Sequence, residues 1–232
     1  MIYDIAIIGA GCAGLSLAYQ ISKNKNIKKK IIILDNKYGF KKDRTWSFWK
    51  VEEHDFEDCL EKEWFKFNIK YQNQYKVFEK SIYPYQTIDS LKFYMKVQSE
   101  LSNNFELRFN SNIITIKKKS NIFEIKTDNI NIEAKIIFDS RIPNKDTGNL
   151  YQHFYGYEIN TTENHFNENN VTLMDFDCEQ KKGVHFFYIL PFANNRALVE
   201  NTWLSYLDKL DKKNYIEELE SYIQNELKIK NY

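Results

Sequence analysis

The first 35 residues show three successive hydrophobic patterns. Tyr3–Ile8 is apolar apart from Asp4, which predicts a buried parallel strand. A helical pattern follows from about Ala13 to Ser22, and the β-branched run Ile31–Leu34 predicts a second strand. The chain therefore opens with a predicted strand–helix–strand unit.

The middle of the chain predicts one helix and several strands. Residues 41–85 are rich in aromatic and charged side chains and have no clear period. Residues 87–90, Thr-Ile-Asp-Ser, offer N-cap candidates for a helix over 91–101. Strands are predicted at 105–109, 113–116, 122–127 and 130–137, the last three as a β-meander, and residues 136–141 as a return into the parallel sheet.

The last third is predicted to be β-rich and to end in a helix. Alternation in FYGYEI, VTLMDFD, VHFFYILPF and RALVENT predicts four strands between residues 154 and 202. Residues 208–232 have an amphipathic pattern, which predicts a closing helix. Its apolar face is predicted to consist of Tyr215, Ile216, Leu219, Tyr222 and Ile223.

Composition narrows the class of protein. Of the 232 residues, 43% are apolar and 28% charged, which is typical of a folded chain. A net charge of +1 argues against nucleic acid as a partner, because no basic excess is available to neutralise phosphates. The three cysteines are not closely spaced, so neither a disulfide framework nor a metal site is expected, and a reducing compartment fits.

The glycines of YDIAIIGAGCAGLSLA decide how the opening is interpreted. A signal peptide would need a basic start, and a membrane span about 20 apolar residues, so neither fits. Gly9, Gly11 and Gly14 instead match a dinucleotide fingerprint between a strand and a helix. They permit the tight turn, close approach of a pyrophosphate, and close packing of the helix on the strand.

An acid ends the second predicted strand. Asp35 follows Gly14 by 21 residues, where its carboxylate can accept hydrogen bonds from ribose hydroxyls and would repel the 2′-phosphate of NADP. The fingerprint alone leaves FAD and NAD open. The layout predicts an α/β protein with a dinucleotide-binding region over 1–150 and a β-rich substrate region over 151–232.

Several later segments together resemble one enzyme family. They are KDRTWSFW (42–49), YQHFYGYEI (151–159), LMDFD (173–177), FFYILPF (186–192) and RALVENTWLS (196–205). In this order and spacing they resemble the lycopene β-cyclases of carotenoid synthesis, of the bacterial flavoprotein type. The resemblance runs from Met1 to about Ile223.

The resemblance implies a Rossmann-type FAD-binding domain with a β-rich substrate domain, as in flavoprotein hydroxylases and reductases. It implies an isomerisation that closes β-ionone rings at the ends of lycopene, giving β-carotene, with FAD in its reduced form and no net redox change. The residues expected to hold FAD are Gly9, Gly11, Cys12, Ala13, Gly14, Asp35 and Arg44.

Glu200, in LVENT, is the expected catalytic acid because it matches the acidic position of the family. Protonating an alkene requires an acid in a dry pocket, and burial keeps a carboxyl group neutral by raising its pKa. The alternative is a solvated acid near a strand end. Trp46, Phe48 and Trp49 are expected to stabilise a substrate cation with their rings, or else to form an aromatic core patch. His153 and His185 lack metal-ligand spacing and are expected to be structural.

Family members continue past the helix that closes this sequence, so we expect a C-terminally incomplete chain in which FAD binding and activity are open. Two alternatives remain: another FAD-dependent oxidoreductase or hydroxylase of the same fold, and an inactive nucleotide-binding fragment. A carotenoid substrate implies a cytoplasmic protein that contacts the inner face of the membrane peripherally. Aromatics near Trp64, Phe65 and Phe67 are the candidates for that contact.

Overall fold

The computed structural model describes residues 2–141, 150–181, 183–206 and 211–232. The chain divides into two compact units. The first contains residues 1–46 and 88–144, and the second contains residues 47–87 and 145–232. The predicted single boundary near residue 150 placed 47–87 in the first region, whereas the structure places this segment in the second unit.

The described residues form three α-helices and fifteen strands, numbered here in chain order. The helices are α1 (Cys12–Lys23), α2 (Ser90–Glu100) and α3 (Lys212–Asn225). The strands are β1 (Ile2–Ile8), β2 (Ile31–Leu34), β3 (Thr45–Trp49), β4 (Leu60–Trp64), β5 (Phe67–Tyr71), β6 (Gln74–Phe78), β7 (Tyr85–Asp89), β8 (Phe105–Arg108), β9 (Ile113–Lys119), β10 (Ile122–Thr127), β11 (Asn131–Asp139), β12 (Tyr151–Asn160), β13 (Val171–Asp175), β14 (Val184–Ala193) and β15 (Arg196–Ser205).

The first unit is built on a six-stranded sheet with the order β8-β2-β1-β11-β10-β9. Strands β8, β2, β1 and β11 are parallel, and β10 and β9 continue the sheet antiparallel. The predicted opening strand–helix–strand unit is confirmed. Strand β2 is buried at all four positions, as its unbroken apolar run requires.

One strand of this sheet was predicted wrongly as two. The run 130–137 was assigned to a meander and 136–141 to a separate return strand. Both belong to the single strand β11, which pairs antiparallel with β10 on one side and parallel with β1 on the other. A strand can pair antiparallel along one edge and parallel along the other. The meander pattern therefore reflected the edge that faces β10, and the return pattern the edge that faces β1.

Helix α2 begins where the sequence predicted. Asp89 is the N-cap residue, and its side chain accepts a hydrogen bond from the backbone N–H of Lys92 at 2.9 Å. This bond satisfies one of the N–H groups that a helix leaves unpaired in its first turn. Phe93, Tyr94 and Val97 form the buried face of the helix.

The second unit contains a six-stranded sheet with the order β12-β15-β14-β13-β5-β6. All four strands predicted in the last third of the chain belong to it. Strand β15 lies between β12 and β14 and pairs antiparallel with both along its length. Strands β5 and β6 come from the segment that showed no clear period, and β3, β7 and β4 form a further three-stranded sheet.

Helix α3 covers one face of the larger sheet of this unit. Leu219, Tyr222 and Ile223 pack with Val199 of β15 and Phe187 of β14 in one buried apolar cluster. The helix ends at Asn225, so the prediction of a helix to the end of the sequence was too long, and residues 208–210 lie outside the described residues. Of its predicted apolar face, Ile216 is less buried than the others.

Two of the aromatics proposed for membrane contact have internal roles. Trp64 is 2% exposed, and its indole N–H donates to the backbone oxygens of Glu168 and Pro191. Phe67 stacks on Phe78 with ring centroids 4.5 Å apart. Phe65 is 51% exposed. Trp64 is therefore a core residue of the second unit rather than a surface contact.

Leu219→Ala is expected to destabilise the protein by about 2–5 kcal/mol, since it leaves a cavity beneath α3 where the native side chain is fully buried. Urea unfolding of this variant measures the loss. The control is Glu217→Ala, because Glu217 lies on the same helix and its side chain is exposed. A loss for Leu219→Ala no larger than that of the control would contradict the packing described for α3.

Candidate functional site

A cleft of about 460 Å³ lies in the first unit where β1 ends and α1 begins. It opens beside the carboxyl ends of parallel strands, which is where open α/β sheets bind ligands. Its lining consists of Ile8, Gly9, Gly11, Cys12, Leu34, Asp35, Asn36, Lys37, Arg44, Trp46, Tyr94, Ser111, Asn112, Ile113, Ser140 and Arg141.

The three glycines of the fingerprint have different environments. A Cβ atom on Gly14 would lie 1.9 Å from the backbone oxygen of Gly9, so glycine at 14 lets α1 pack directly on the turn. Gly9 has a φ of +100°, which favours glycine, and a Cβ there would lie 2.3 Å from Ser140 Oγ. A Cβ on Gly11 would meet no atom within 4 Å, so this glycine faces open space in the cleft.

The amino end of α1 is available to a ligand. Gly11 is its N-cap residue and provides no side-chain cap, and the first turn carries no acid. The first N–H groups of a helix lack intrahelical partners and carry partial positive charge, which makes this end suited to a phosphate group. The observed geometry therefore fits the pyrophosphate of a dinucleotide.

Asp35 ends β2 at the edge of this cleft and is 8% exposed. One carboxylate oxygen accepts from the N–H of Ala10 at 2.6 Å, and the other from the N–H of Lys37 at 2.8 Å. The side chain thereby ties β2 to the glycine turn. Each carboxylate oxygen has a second lone pair, so both can also accept a ribose hydroxyl.

Basic side chains line the cleft, and two of them are paired with carboxylates. Lys37, Arg44 and Arg141 line it with Asp35. Lys37 is held in place by an ion pair with Asp43 at 2.9 Å. Although burial opposes the effect, hydrogen bonds from Lys37 and Tyr94 hold the pKa of Asp43 below its usual range. Arg141 is likewise paired with Asp139 at 2.7 Å, so the cleft offers basic side chains that could donate to a diphosphate but no large excess of positive charge.

The structure brings together most of the predicted cofactor residues. Gly9, Gly11, Cys12, Asp35 and Arg44 all line the cleft. Ala13 is exposed in the first turn of α1, and Gly14 is buried beneath the turn. Trp46, predicted as a substrate residue, also lines this cleft, where its ring contacts Phe93 and Tyr94 edge to face.

Glu200 lies near the middle of β15 in the second unit. It is paired with Tyr188 of β14 on one side and with Gly156 of β12 on the other. Its neighbours Val199 and Asn201 point to the face covered by α3, so Glu200 points to the opposite face of the sheet. A Cβ atom on Gly156 would lie 3.1 Å from Glu200 Cβ, so glycine there makes room for the acid.

The carboxyl group of Glu200 is held toward its neutral form. Burial raises the pKa of Glu200, against an opposing hydrogen bond from Thr202 Oγ1 to Glu200 Oε1 at 2.9 Å. The strand neighbours on the same face are the apolar Leu198 and the tyrosine Tyr188. The environment is therefore that of a carboxyl group largely shielded from water and not of a solvated acid near a strand end.

Two tyrosines adjoin Glu200. The hydroxyl groups of Tyr85 and Tyr188 are hydrogen-bonded to each other. Burial raises the pKa of both tyrosines, and the negative charge of an ionised Glu200 raises them further. The ring of Trp49 lies edge to face with Tyr85 at 4.9 Å, which connects one predicted substrate aromatic to this group.

The remaining predicted aromatic and histidine residues have other contacts. Phe48 packs edge to face with His54, at 5.3 Å. His153 is hydrogen-bonded to Tyr215 and Ser205. His185 stacks on Trp203 at 3.9 Å, and burial lowers its pKa. Within the described parts of the chain, no group of three or more His, Cys, Asp or Glu side chains could hold a metal ion.

The family model of the lycopene cyclase protein matches residues 4–231 of this chain. The chain belongs to the lycopene cyclase family. Its relatives include the lycopene β-cyclase of Capsicum annuum, 26% identical over 88% of this chain and 44% of that protein. A second is the lycopene β-cyclase of a Paracoccus species, 25% identical over 87% of this chain and 51% of that protein. The chain thus spans about half the length of the curated lycopene cyclases that it matches.

Solved structures show the same fold at low sequence identity. A geranylgeranyl bacteriochlorophyll reductase-like protein from Thermoplasma acidophilum aligns with a TM-score of 0.70 and 10% identity, covering 97% of this chain and 62% of that one. The halogenase PltM, solved with phloroglucinol and FAD, aligns with a TM-score of 0.65 and 12% identity, covering 96% and 55%. This member of the lycopene cyclase family therefore shares the Rossmann-type fold of these flavoprotein structures.

Several residues of both sites were not singled out from the sequence. Lys37, Tyr94 and Arg141 line the cleft from segments without a motif. Tyr188 and Gly156 lie in FFYILPF and YGYEI, and pairing these two strands with RALVENT would have placed them opposite Glu200. Tyr85 could not be found in this way, because it comes from the segment without a clear period.

Proposed function

We propose that this lycopene cyclase family member is a lycopene β-cyclase that closes β-ionone rings at the ends of lycopene. The observation that carries the proposal is Glu200, a carboxyl group whose pKa is raised by burial on a strand that the family match covers. Alkenes are very weak bases, so their protonation needs an acid that is neutral at working pH and shielded from water.

We propose that the cleft of the first unit holds FAD. The turn at Gly9 and Gly11 and the amino end of α1 would bind the pyrophosphate, Asp35 the ribose hydroxyls, and Arg44 a phosphate oxygen. Reduced FAD would supply negative charge that stabilises a cationic substrate without net electron transfer. The cations that line the cleft and the open space at Gly11 support this assignment.

Glu200 would begin the reaction. Because Thr202 donates to Oε1, Oε2 is left to carry the proton, which passes to the terminal double bond of lycopene. This leaves a tertiary cation, and the neighbouring double bond attacks it to close the ring. Loss of a proton from the ring to the Glu200 carboxylate then gives the β-ring and restores the acid, so atoms and electrons balance.

The aromatic rings near Glu200 would stabilise the cation. Tyr85, Tyr188 and Trp49 present π-systems on this side of the sheet, and a ring facing a cation contributes ~0.5–2 kcal/mol. The phenol groups of Tyr85 and Tyr188 stay neutral because burial raises the pKa of both. Trp49 is thus the member of the TWSFW segment whose contacts best support the proposed substrate role.

A carotenoid substrate dissolves in lipid, which supports peripheral contact with a membrane surface as part of the proposal. Among the described residues, no helix is long and apolar enough to cross a membrane.

Ring formation is expected to fall as pH rises. The proposed acid acts in its protonated form, and burial raises the pKa of Glu200 above its ordinary value. Activity should therefore be full below this raised pKa and be lost as pH rises through it. Initial rates of ring formation, measured at pH values from about 5 to about 9, check this expectation. A rate that increases steadily over the same range would contradict an acid role for Glu200.

The function is tested by pigment analysis in a lycopene-accumulating bacterium. The chain is expressed alone and as a hybrid in which the remainder of the Paracoccus relative follows it. We expect ringed carotenoids from the hybrid, formed without stoichiometric consumption of a nicotinamide cofactor. A soluble, flavin-bound hybrid that leaves lycopene unchanged would refute the proposed function.

A further inference from the structure

The sheet face that carries Glu200 consists of successive rows of side chains across β12, β15 and β14. Residues paired across antiparallel strands point to the same face, and every second residue of a strand shares that face. The row of Glu200 contains Gly156 of β12 and Tyr188 of β14. Tyr188 packs against Tyr85, whereas Gly156 places no side chain beside the acid. The room next to Glu200 therefore lies over β12, an edge strand of the sheet.

Toward the end of β15 this face is largely apolar. Four apolar side chains follow the acid in the next two rows, and we call them the apolar stripe: Phe154, Phe186, Val184 and Leu204. Gln152 and Thr202, whose hydroxyl donates to Glu200, complete these rows. The side chain of Phe154 is 58% exposed and that of Val184 is 47% exposed, so the stripe is accessible from outside the second unit.

Toward the start of β15 the same face becomes charged. Arg196 pairs there with Glu158 of β12 at 2.6 Å and with Glu61 of β4 at 2.9 Å. Arg196 and Leu204 are each four residues from Glu200, about 13 Å at 3.3 Å per residue. The acid thus lies midway between a charged end and an apolar end of one face.

The two ends differ in the ligand that they can bind. A hydrocarbon chain gains free energy when it and an apolar surface are removed from water together. Covering the Arg196 ion pairs with hydrocarbon would instead remove charges from water without giving them a new partner. A linear hydrocarbon whose end reaches Glu200 is therefore bound better when it extends over the stripe than over Arg196.

We propose that the apolar stripe binds the linear hydrocarbon chain of a polyene substrate whose end lies over Gly156, beside Glu200. The inference rests on the proposed function for the identity of the polyene. It makes Phe154 and Val184 substrate-binding residues. It also fixes the direction in which the substrate leaves the acid, which is toward the end of β15.

The test is lycopene binding to the full 232-residue chain, measured in detergent micelles by quenching of tryptophan fluorescence. The variants are Phe154→Ser and Val184→Asp. Both side chains are exposed, so the fold should tolerate the changes, and circular dichroism checks this. Val77→Asp is the matched control, since Val77 is 41% exposed on β6, at the opposite edge of the same sheet.

Phe154→Ser and Val184→Asp are each expected to weaken lycopene binding by at least about tenfold, because each removes apolar contact with the bound chain. Val77→Asp should bind lycopene as the native chain does. Unchanged affinity in either stripe variant, an equal loss in Val77→Asp, or no binding by the native chain would overturn the proposal.

Contact with a bilayer is the competing role for an exposed apolar stripe. Binding of the same variants to phosphatidylcholine vesicles without lycopene separates the two roles. Weaker vesicle binding with unchanged lycopene affinity in micelles would assign the stripe to the membrane and overturn the proposal. The proposed function fails by a different result, the absence of ringed product from the hybrid.

Discussion

Glu200→Gln is expected to abolish ring formation, lowering the rate by at least about 10²–10⁴-fold, the usual contribution of a general acid. The amide keeps the size and the hydrogen-bond acceptor of the carboxyl group but cannot deliver a proton. Carotenoid analysis of the hybrid in a lycopene-accumulating bacterium measures the loss. Glu217→Gln, an exposed acid on α3, is the control and should retain full activity.

The same variant should be more stable than the native protein at neutral pH. Because the folded-state pKa of Glu200 is raised above its unfolded value, the stability it contributes is full below the unfolded pKa and is lost as pH rises through the folded pKa. Glutamine does not ionise and avoids that loss. Thermal unfolding should show a higher Tm for Glu200→Gln at pH 7, and a difference that closes on acidification. An active variant, or one with a lower Tm at pH 7, would contradict the account of Glu200.

Gly11→Val is expected to weaken flavin binding by at least about tenfold, equivalent to about 1.4 kcal/mol. A Cβ atom at residue 11 would meet no atom beyond its chain neighbours within 4 Å, so we expect the fold to tolerate valine there and the valine side chain to obstruct what enters the cleft. Flavin absorbance after purification and fluorescence titration with FAD measure the change.

Gly39→Val provides a matched control for this variant. A Cβ atom on Gly39 also meets nothing within 4 Å, and Gly39 does not belong to the lining given for the cleft. Equal flavin affinity in both variants, with both folded, would show that the space beside Gly11 is not where FAD binds.

The elements that were predicted correctly are those whose burial leaves a simple pattern. Strand β2 is covered on both faces and shows as an unbroken apolar run, while β15 alternates between the side covered by α3 and the side of Glu200. Helix α2 was located by the Asp89 cap. In each case the information lies within a few consecutive residues.

The segment 41–85 could not be predicted because its order depends on distant partners. Strand β5 pairs in parallel with β13, about 100 residues later in the chain, and β6 is exposed at every position and so carries no alternation. Tyr85, on β7, likewise meets a partner about 100 residues later in the chain, Tyr188 of β14. The acid itself was predicted from the family resemblance, whereas its surroundings required the structure.

The most direct measurement of the central claim is ring formation in D₂O. A proton from Glu200, in exchange with solvent, should appear in the product, so lycopene converted by the hybrid should gain one deuterium for each ring formed. The Glu200→Gln hybrid should form no ring. Ringed product without added deuterium, or deuterated rings made by Glu200→Gln, would contradict a carboxyl group of Glu200 as the proton donor.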